Sequence, residues 1–434
     1  MTSLVGGYIR PLKQRTAFAG NPTIRNRIAE DGIYSPVMTS PPTITAGGTT
    51  TGLSGTIALR SPLELRSSNS AIFLPSGHGD YEPVKPYGWA GDVSLSPRSR
   101  GDRIVCYEFD YTGQLWEFVV ANNGIRYWLW VNEQPVALAP TITSSTGDTQ
   151  HFKVNHGAAA PAGSPYRIML MIDVGTAGLV GIKHASTDFL YSPALQASGQ
   201  LIWIGDSIPE GYYADTILTT ENVAYPHGSF VFQLGWRLGL WDVSQGICMG
   251  GRGVCATAGD GTLPYLGNVQ NDLPLMVRKP SGEGTCIVFQ SSSNDLAFTA
   301  AQVQAAATVA IQAALTEYPD ALILAVGNLV APHGIEGDMT TYDAAWKTAI
   351  TNLIDADHFI DTTEVFQGTG NETSPAGAGN CDIYALADQH LTYTSKGPPH
   401  PNSKGHKQIA DKLAPHIGKR MGISLVADNS WIVT

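Results

Sequence analysis

The chain has 434 residues, 43% of them hydrophobic and only 15% charged, and a formal net charge of −11. At roughly 100–200 residues per domain this length allows two or three domains, and the shortage of charge against a typical ~25% means that Ser, Thr, Asn, Gln and Gly cover much of the surface, as in extracellular or particle-borne proteins. The 26 Lys and Arg form no basic run, so nucleic acid and anionic membranes lack the cluster of cations that counterion release requires.

Residues 1–60 are rich in Gly, Thr, Pro and Ser, as in TSPPTITAGGTTTGLSGT, and read as an extended or loop-rich N-terminal arm. The opening run MTSLVGGYIRPLKQRTAFAG lacks the apolar core of a signal peptide, and no stretch reaches the roughly 18 apolar residues of a membrane span. Two expectations follow for export: release by lysis, which needs no signal, or a signal removed before this sequence begins.

Residues 61–195 have the rhythm of strands. Tyr107, Phe109 and Tyr111 alternate with Glu108 and Asp110, the period of a half-buried strand. Residues 115–121 and 125–131 are β-rich runs on either side of Asn122-Asn123-Gly124, whose tolerance of positive φ predicts a hairpin. Further strands are predicted at 152–154, 166–174 and 179–184. Many short strands without an amphipathic helix predict an all-β sandwich of jelly-roll type.

From 196 to 434 the rhythm changes to alternating strands and helices. Apolar runs at 201–205, 286–290, 321–327 and 359–361 suit a parallel sheet buried on both faces. Helices are predicted at 230–240, at 300–317 with Thr299 as N-cap, at 342–356 and at 404–419. The expected fold class is a three-layer α/β domain with its ligand site at the carboxyl ends of the strands. The five cysteines, at 106, 248, 255, 286 and 381, form no Cys-x-x-Cys pair and read as small buried hydrophobes. A Cys248–Cys255 disulfide stays open, because spacing does not establish geometry.

A serine nucleophile must be exposed, have a base within reach, and face donors for the oxyanion of a tetrahedral intermediate. Ser207 follows the strand LIWIG directly, at the carboxyl end of the first sheet strand. Gly250-Gly251-Arg252-Gly253 can bring a bare backbone N–H close to a substrate oxygen. Asn294, after the strand CIVFQ, can donate through its amide, and His400 lies on a loop before the last helix. These four elements come in strand order at one edge.

With those residues in place, the sequence resembles the SGNH hydrolase (GDSL esterase/lipase) superfamily. Its blocks match Gly205-Asp206-Ser207, Gly251, Asn294 in Ser-x-Asn-Asp, and His400 in His-Pro-Asn-x-x-Gly, over about 200–420. The resemblance implies a flavodoxin-like sheet, Ser207 as nucleophile, His400 as general base and then acid, and an oxyanion hole from the Ser207 and Gly251 N–H groups and the Asn294 amide. It implies no cofactor and no metal. The β-region with RYWLWVNEQPV resembles jelly-roll modules of carbohydrate esterases and of actinobacteriophage minor tail proteins. That likeness implies a polysaccharide or glycolipid ester as substrate, a place in a phage tail, other tail proteins as neighbours and a homo-oligomer.

Two positions depart from the superfamily's pattern. The residue three before His400 is usually Asp and here is Gly397, which leaves three readings: a backbone carbonyl holds the ring, Asp388 or Asp382 reaches in, or activity is lost. Ser292 stands where glycine is usual, and reads as a tolerated change on a loop that still presents Asn294. Asp206 is not expected to orient the imidazole, since adjacent side chains at a strand end point different ways. His390 and His406 read as solvated or packed. The expected activity is ester hydrolysis through an acyl-enzyme, with O-acetyl groups of a surface polysaccharide as substrate. A lipid ester is the alternative within the enzymes, and a non-catalytic glycan-binding tail protein the alternative outside them.

Overall fold

The computed structural model describes residues 38–47, 53, 55–58, 104–121, 126–132, 134–137, 141–142, 150–173, 178–185, 187–188, 190–191, 199–210, 229–238, 240, 242–244, 248, 250–257, 264–271, 273–277, 280–329, 339–362, 403–425 and 431–433. His400, Gly397, Asp388, Asp382, His390, Cys381, most of the arm and the turn Asn122-Asn123-Gly124 lie outside them.

The first strands are β1 (Thr43–Gly47), β2 (Gly55–Ala58), β3 (Ile104–Tyr111), β4 (Leu115–Ala121), β5 (Arg126–Val131), β6 (Gln134–Pro135), β7 (Thr141–Ile142), β8 (Gln150–Asn155), β9 (Tyr166–Asp173), β10 (Gly178–His184) and β11 (Leu190–Tyr191). They make two antiparallel sheets, in the orders β1-β8-β4-β10-β2 and β11-β3-β9-β5-β6, with β7 also paired to β5. Inward side chains of both sheets form one core, including Trp116 and Phe118 of β4, Tyr127 and Leu129 of β5, Phe152 of β8 and Leu170 of β9. Within the first sheet Phe118 stacks on its cross-strand neighbour Phe152 at 5.0 Å, and across the core it meets Tyr127 edge-on at 5.0 Å. Two segments of the region read as an arm are edge strands here: β1 pairs with β8 and β2 with β10.

The expected hairpin between β4 and β5 is not formed. β4 pairs with β8 and β10, whereas β5 pairs with β9, β6 and β7 in the other sheet. The reason is in the burial: residues 116–120 and 127–131 are buried on both faces. Two such strands gain more as central members of opposite sheets, facing each other across the core, than side by side. A turn sequence permits the reversal but does not choose between the two arrangements.

The second part is built from β12 (Gln200–Ile204), α1 (Ser207–Glu210), α2 (Phe230–Arg237), β13 (Asp242–Ser244), α3 (Tyr265–Asn271), α4 (Leu273–Met276), β14 (Thr285–Gln290), α5 (Ala300–Glu317), β15 (Leu322–Val326), α6 (Thr340–Leu353), β16 (Phe359–Ile360) and α7 (Ser403–Met421). The strands are parallel in the order β13-β12-β14-β15-β16, the 2-1-3-4-5 order of flavodoxin-like sheets. Alternation along each strand makes the three layers. Leu201, Trp203, Val288 and Leu324 pack under α2 and α7. Ile202, Ile204, Phe289 and Ile323 pack under α3, α5 and α6. Burying each such side chain contributes roughly 1.5–3 kcal/mol, which explains why these strands read as continuous apolar runs.

Helix α5 begins where its sequence predicts, with a capping box in which Thr299 accepts from the Gln302 N–H and the Gln302 side chain accepts from the Thr299 N–H. Helices α2 and α7 are joined by an Arg237–Asp411 ion pair. His406 of α7 is packed: it is buried, stacks against Phe230, and its Nδ1 accepts the Phe230 N–H at 3.1 Å. After α7 a two-stranded ribbon, β17 (Ile423–Leu425) and β18 (Trp431–Val433), closes the described chain. No helix among the described residues is long and apolar enough to cross a membrane.

Candidate active site

Strand β12 runs parallel between β13 and β14, so the carboxyl ends of all three share one edge of the sheet. Ser207, Gly251 and Asn294 each follow one of them. Ser207 is the first residue of α1, two positions beyond Gly205, and is half-buried. Gly251 is exposed on a turn with φ at +80°, a conformation that favours glycine. Asn294 lies in a single 3-10 turn, residues Ser293–Ala297.

What draws these three loops together is a buried chain of side chains. Trp203 Nε1 donates to Gln290 Oε1 at 3.1 Å, and Gln290 Nε2 donates to Asp206 Oδ1 at 3.2 Å. Asp206 Oδ1 also accepts the Ile208 N–H at 3.0 Å, which caps α1, and Oδ2 lies 2.7 Å from Ser292 Oγ. Ser292 Oγ in turn lies 3.1 Å from the Arg252 carbonyl and accepts from the Asn294 N–H at 3.2 Å. The Asn294 amide nitrogen donates to the Arg252 carbonyl at 2.9 Å and to Ser292 Oγ at 3.1 Å. The turn of Ser207, the glycine loop and the Asn294 loop therefore meet at Asp206 and Ser292, both almost fully buried.

A second carboxylate fixes the glycine loop. Asp295, also buried, accepts the backbone N–H groups of Val254, Cys255 and Ala256, each at 2.9 Å. Burial pushes its carboxyl above the ordinary range, against the three donors that pull it down. Close approach demands glycine at 253, where an added Cβ would lie 2.3 Å from Asp295 Oδ1. Beneath the site the Tyr265 hydroxyl is raised well above its ordinary pKa, first by burial and then by the charges of Asp206 and Asp295. Burial, followed by Asp295, pushes the Cys255 thiol up to about 11, so it is no thiolate nucleophile. No disulfide joins Cys248 and Cys255, which closes that question.

Asp206 turns away from the solvent and toward β14, as its place beside Ser207 at a strand end implies. Ser292, read as a tolerated change, is instead bonded to all three loops. Gln290, Arg252 and Asp295 had no role assigned from the sequence; the signal that was there is the run of polar residues that follows the apolar stretch 286–289 of β14, in Gln290-Ser291-Ser292-Ser293-Asn294-Asp295. The base expected at His400 lies outside the described residues, three positions before α7.

No family model and no curated protein matches the sequence. Among solved structures, the chain is similar to a family two carbohydrate esterase from Cellvibrio japonicus, with 13% identity, a TM-score of 0.50, and 87% of this chain and 99% of that one covered. It also aligns with a family two carbohydrate esterase from Clostridium thermocellum in complex with cellohexaose (15% identity, TM-score 0.46, 73% and 93% covered). A third is an acetyl xylan esterase from the rumen bacterium Butyrivibrio proteoclasticus (14% identity, TM-score 0.40, 74% and 91% covered). The chain thus has the fold of the Cellvibrio japonicus protein over most of its length.

Proposed function

We propose that the chain is a serine esterase that removes acyl groups, acetyl foremost, from a polysaccharide. The observation that carries this reading is the convergence of the Ser207 turn, the Gly251 loop and Asn294 at one sheet edge through Asp206 and Ser292. The fold shared with a carbohydrate esterase supports it.

His400 takes the Ser207 proton as Oγ attacks the ester carbonyl. The negative oxygen of the tetrahedral intermediate accepts from the Ser207 and Gly251 N–H groups and the Asn294 amide. Collapse breaks the acyl–oxygen bond, and His400 returns the proton to the departing sugar hydroxyl. Water, deprotonated by His400, then attacks the acyl carbon and releases the acid and free Ser207. With Gly397 in place of the usual Asp, the orienting role falls, in this proposal, to a backbone carbonyl.

In this reading 61–195 is a jelly-roll module to which the lead-in 1–60 adds the edge strands β1 and β2, and 196–434 is the hydrolase. The alternation of β3, β4 and β5, and again of β8 to β11, between the two sheets supports the jelly-roll assignment. The low charge supports a place on the outside of a virion, as a tail component among other copies and other tail proteins. A non-catalytic glycan-binding role is the rival, favoured by Gly397. Acetate release from an acetylated polysaccharide and hydrolysis of 4-nitrophenyl acetate decide between them. Wild-type turnover should exceed that of Ser207→Ala and His400→Ala by several orders of magnitude; equal rates, with glycan binding intact, would establish the rival. A preference for long-chain over acetyl esters would move the substrate to lipids.

A further inference from the structure

We infer that Ser292 is a positioning residue that couples the nucleophile turn to the oxyanion donors, an inference that rests on the esterase reading above. Its hydroxyl has one hydrogen and two lone pairs. The hydrogen goes to the Asp206 carboxylate, the shorter contact at 2.7 Å and the one to a charged acceptor. The lone pairs accept the backbone N–H and the side-chain amide of Asn294. Nothing is left over on this oxygen, and Ser292 is 1% exposed.

The consequence lies in the orientation of Asn294. Two oxygens, Ser292 Oγ and the Arg252 carbonyl, converge on its amide nitrogen. Were the amide turned over, its own oxygen would face both of them, so the pair selects the orientation that points N–H groups at them; because the two oxygens lie only 3.1 Å from each other, they can share one N–H and leave the second for the oxyanion. A glycine at 292, the residue usual in the superfamily that this sequence resembles, would leave the Arg252 carbonyl as the one acceptor of that pair and remove a donor from Asp206. Ser292 thereby adds a restraint on the oxyanion donors, transmitted from the same carboxylate that caps the helix carrying Ser207.

The test compares wild type with Ser292→Gly, Ser292→Ala and Ser292→Thr, counting intact sites with a fluorophosphonate that labels Ser207. Per labelled site, kcat for an acetate ester should fall about tenfold in the Gly and Ala variants while KM stays within about twofold, a smaller loss than deletion of a whole oxyanion donor. Inhibition by a boronic acid, which forms a tetrahedral anion on the serine, should weaken by the same factor as kcat/KM, and the Thr variant should recover part of the loss. In an Asn294→Ala background, removing the Ser292 hydroxyl should cost nothing further. A kcat per labelled site within twofold of wild type, or losses that add in the double variant, overturns the inference and leaves the esterase reading standing. Wild-type protein that neither hydrolyses the ester nor takes the label overturns both.

Discussion

Asp206 is the residue on which the candidate site depends most for stability, and Asp206→Ala measures it. Its carboxylate accepts from the Ile208 N–H, Gln290 Nε2 and Ser292 Oγ, all buried. Removing it strands the first two, because the Ser292 hydroxyl can turn to the Arg252 carbonyl 3.1 Å away. A buried donor left without a partner costs about 1–3 kcal/mol, and relief of the buried charge returns part of it, so the net loss is about 3–4 kcal/mol. Asp206→Asn keeps an oxygen for Ile208 and Gln290 but turns an NH2 toward a Ser292 oxygen that already accepts twice from Asn294, so it should cost about 1–2 kcal/mol, less than alanine. Guanidinium unfolding followed by tryptophan fluorescence, read as a midpoint shift at constant slope, gives both values. An alanine variant within about 0.5 kcal/mol of wild type, or an asparagine variant less stable than alanine, would show that the network does not hold the edge together.

Three further outcomes follow from single contacts. Gly253→Ala would push a Cβ against Asp295 and should destabilise by about 2 kcal/mol or more, with activity lost along with the loop; differential scanning calorimetry checks it. Thr299→Ala removes the cap of α5, costing about 1 kcal/mol, with hydrogen exchange accelerated at the first turn alone. Burial pulls the His156 imidazole down to about 4, and its Nε2 accepts from Trp116 Nε1 at 3.0 Å. Because the folded value lies below the unfolded one, its contribution is present above pH 6.5 and fades as pH falls through 4. It amounts to at most about 3 kcal/mol. His156→Gln should flatten that part of the stability–pH curve, and parallel curves for the two proteins would refute the assignment.

The sheet of the second part was legible because burial on both faces leaves short apolar runs: residues 201–204 of β12, 286–289 of β14 and the whole of β15. Helix α5 was legible from Thr299 and Gln302, whose capping chemistry is local. The β4–β5 connection was misread because Asn122-Asn123-Gly124 specifies only that the chain reverses. Which sheet each strand joins is decided by Trp116, Phe118, Tyr127 and Leu129 packing with residues as distant as Leu170. The edge strands β1 and β2 were missed because five and four residues, most of them Gly, Ala and Thr, carry too little periodicity.

The site divides along the same line. Under the proposed esterase reading, Ser207, Gly251 and Asn294 stand out in the sequence because a nucleophile and oxyanion donors restrict what can occupy their positions, whereas Asp206, Gln290 and Ser292 act on one another and Asp295 on the backbone of the glycine loop. Their partners lie about 40 to 86 positions apart in sequence, too far for any local pattern to register. Such residues are also replaceable, provided that each buried donor still finds an acceptor. A serine at 292 satisfies that sum by a different route from a glycine, using one hydroxyl to serve Asp206 and Asn294 together. A fold shared at 13% identity, with no family model matching the sequence, accords with this freedom: side chains that hold loops together can change wherever their hydrogen bonds are met in another way.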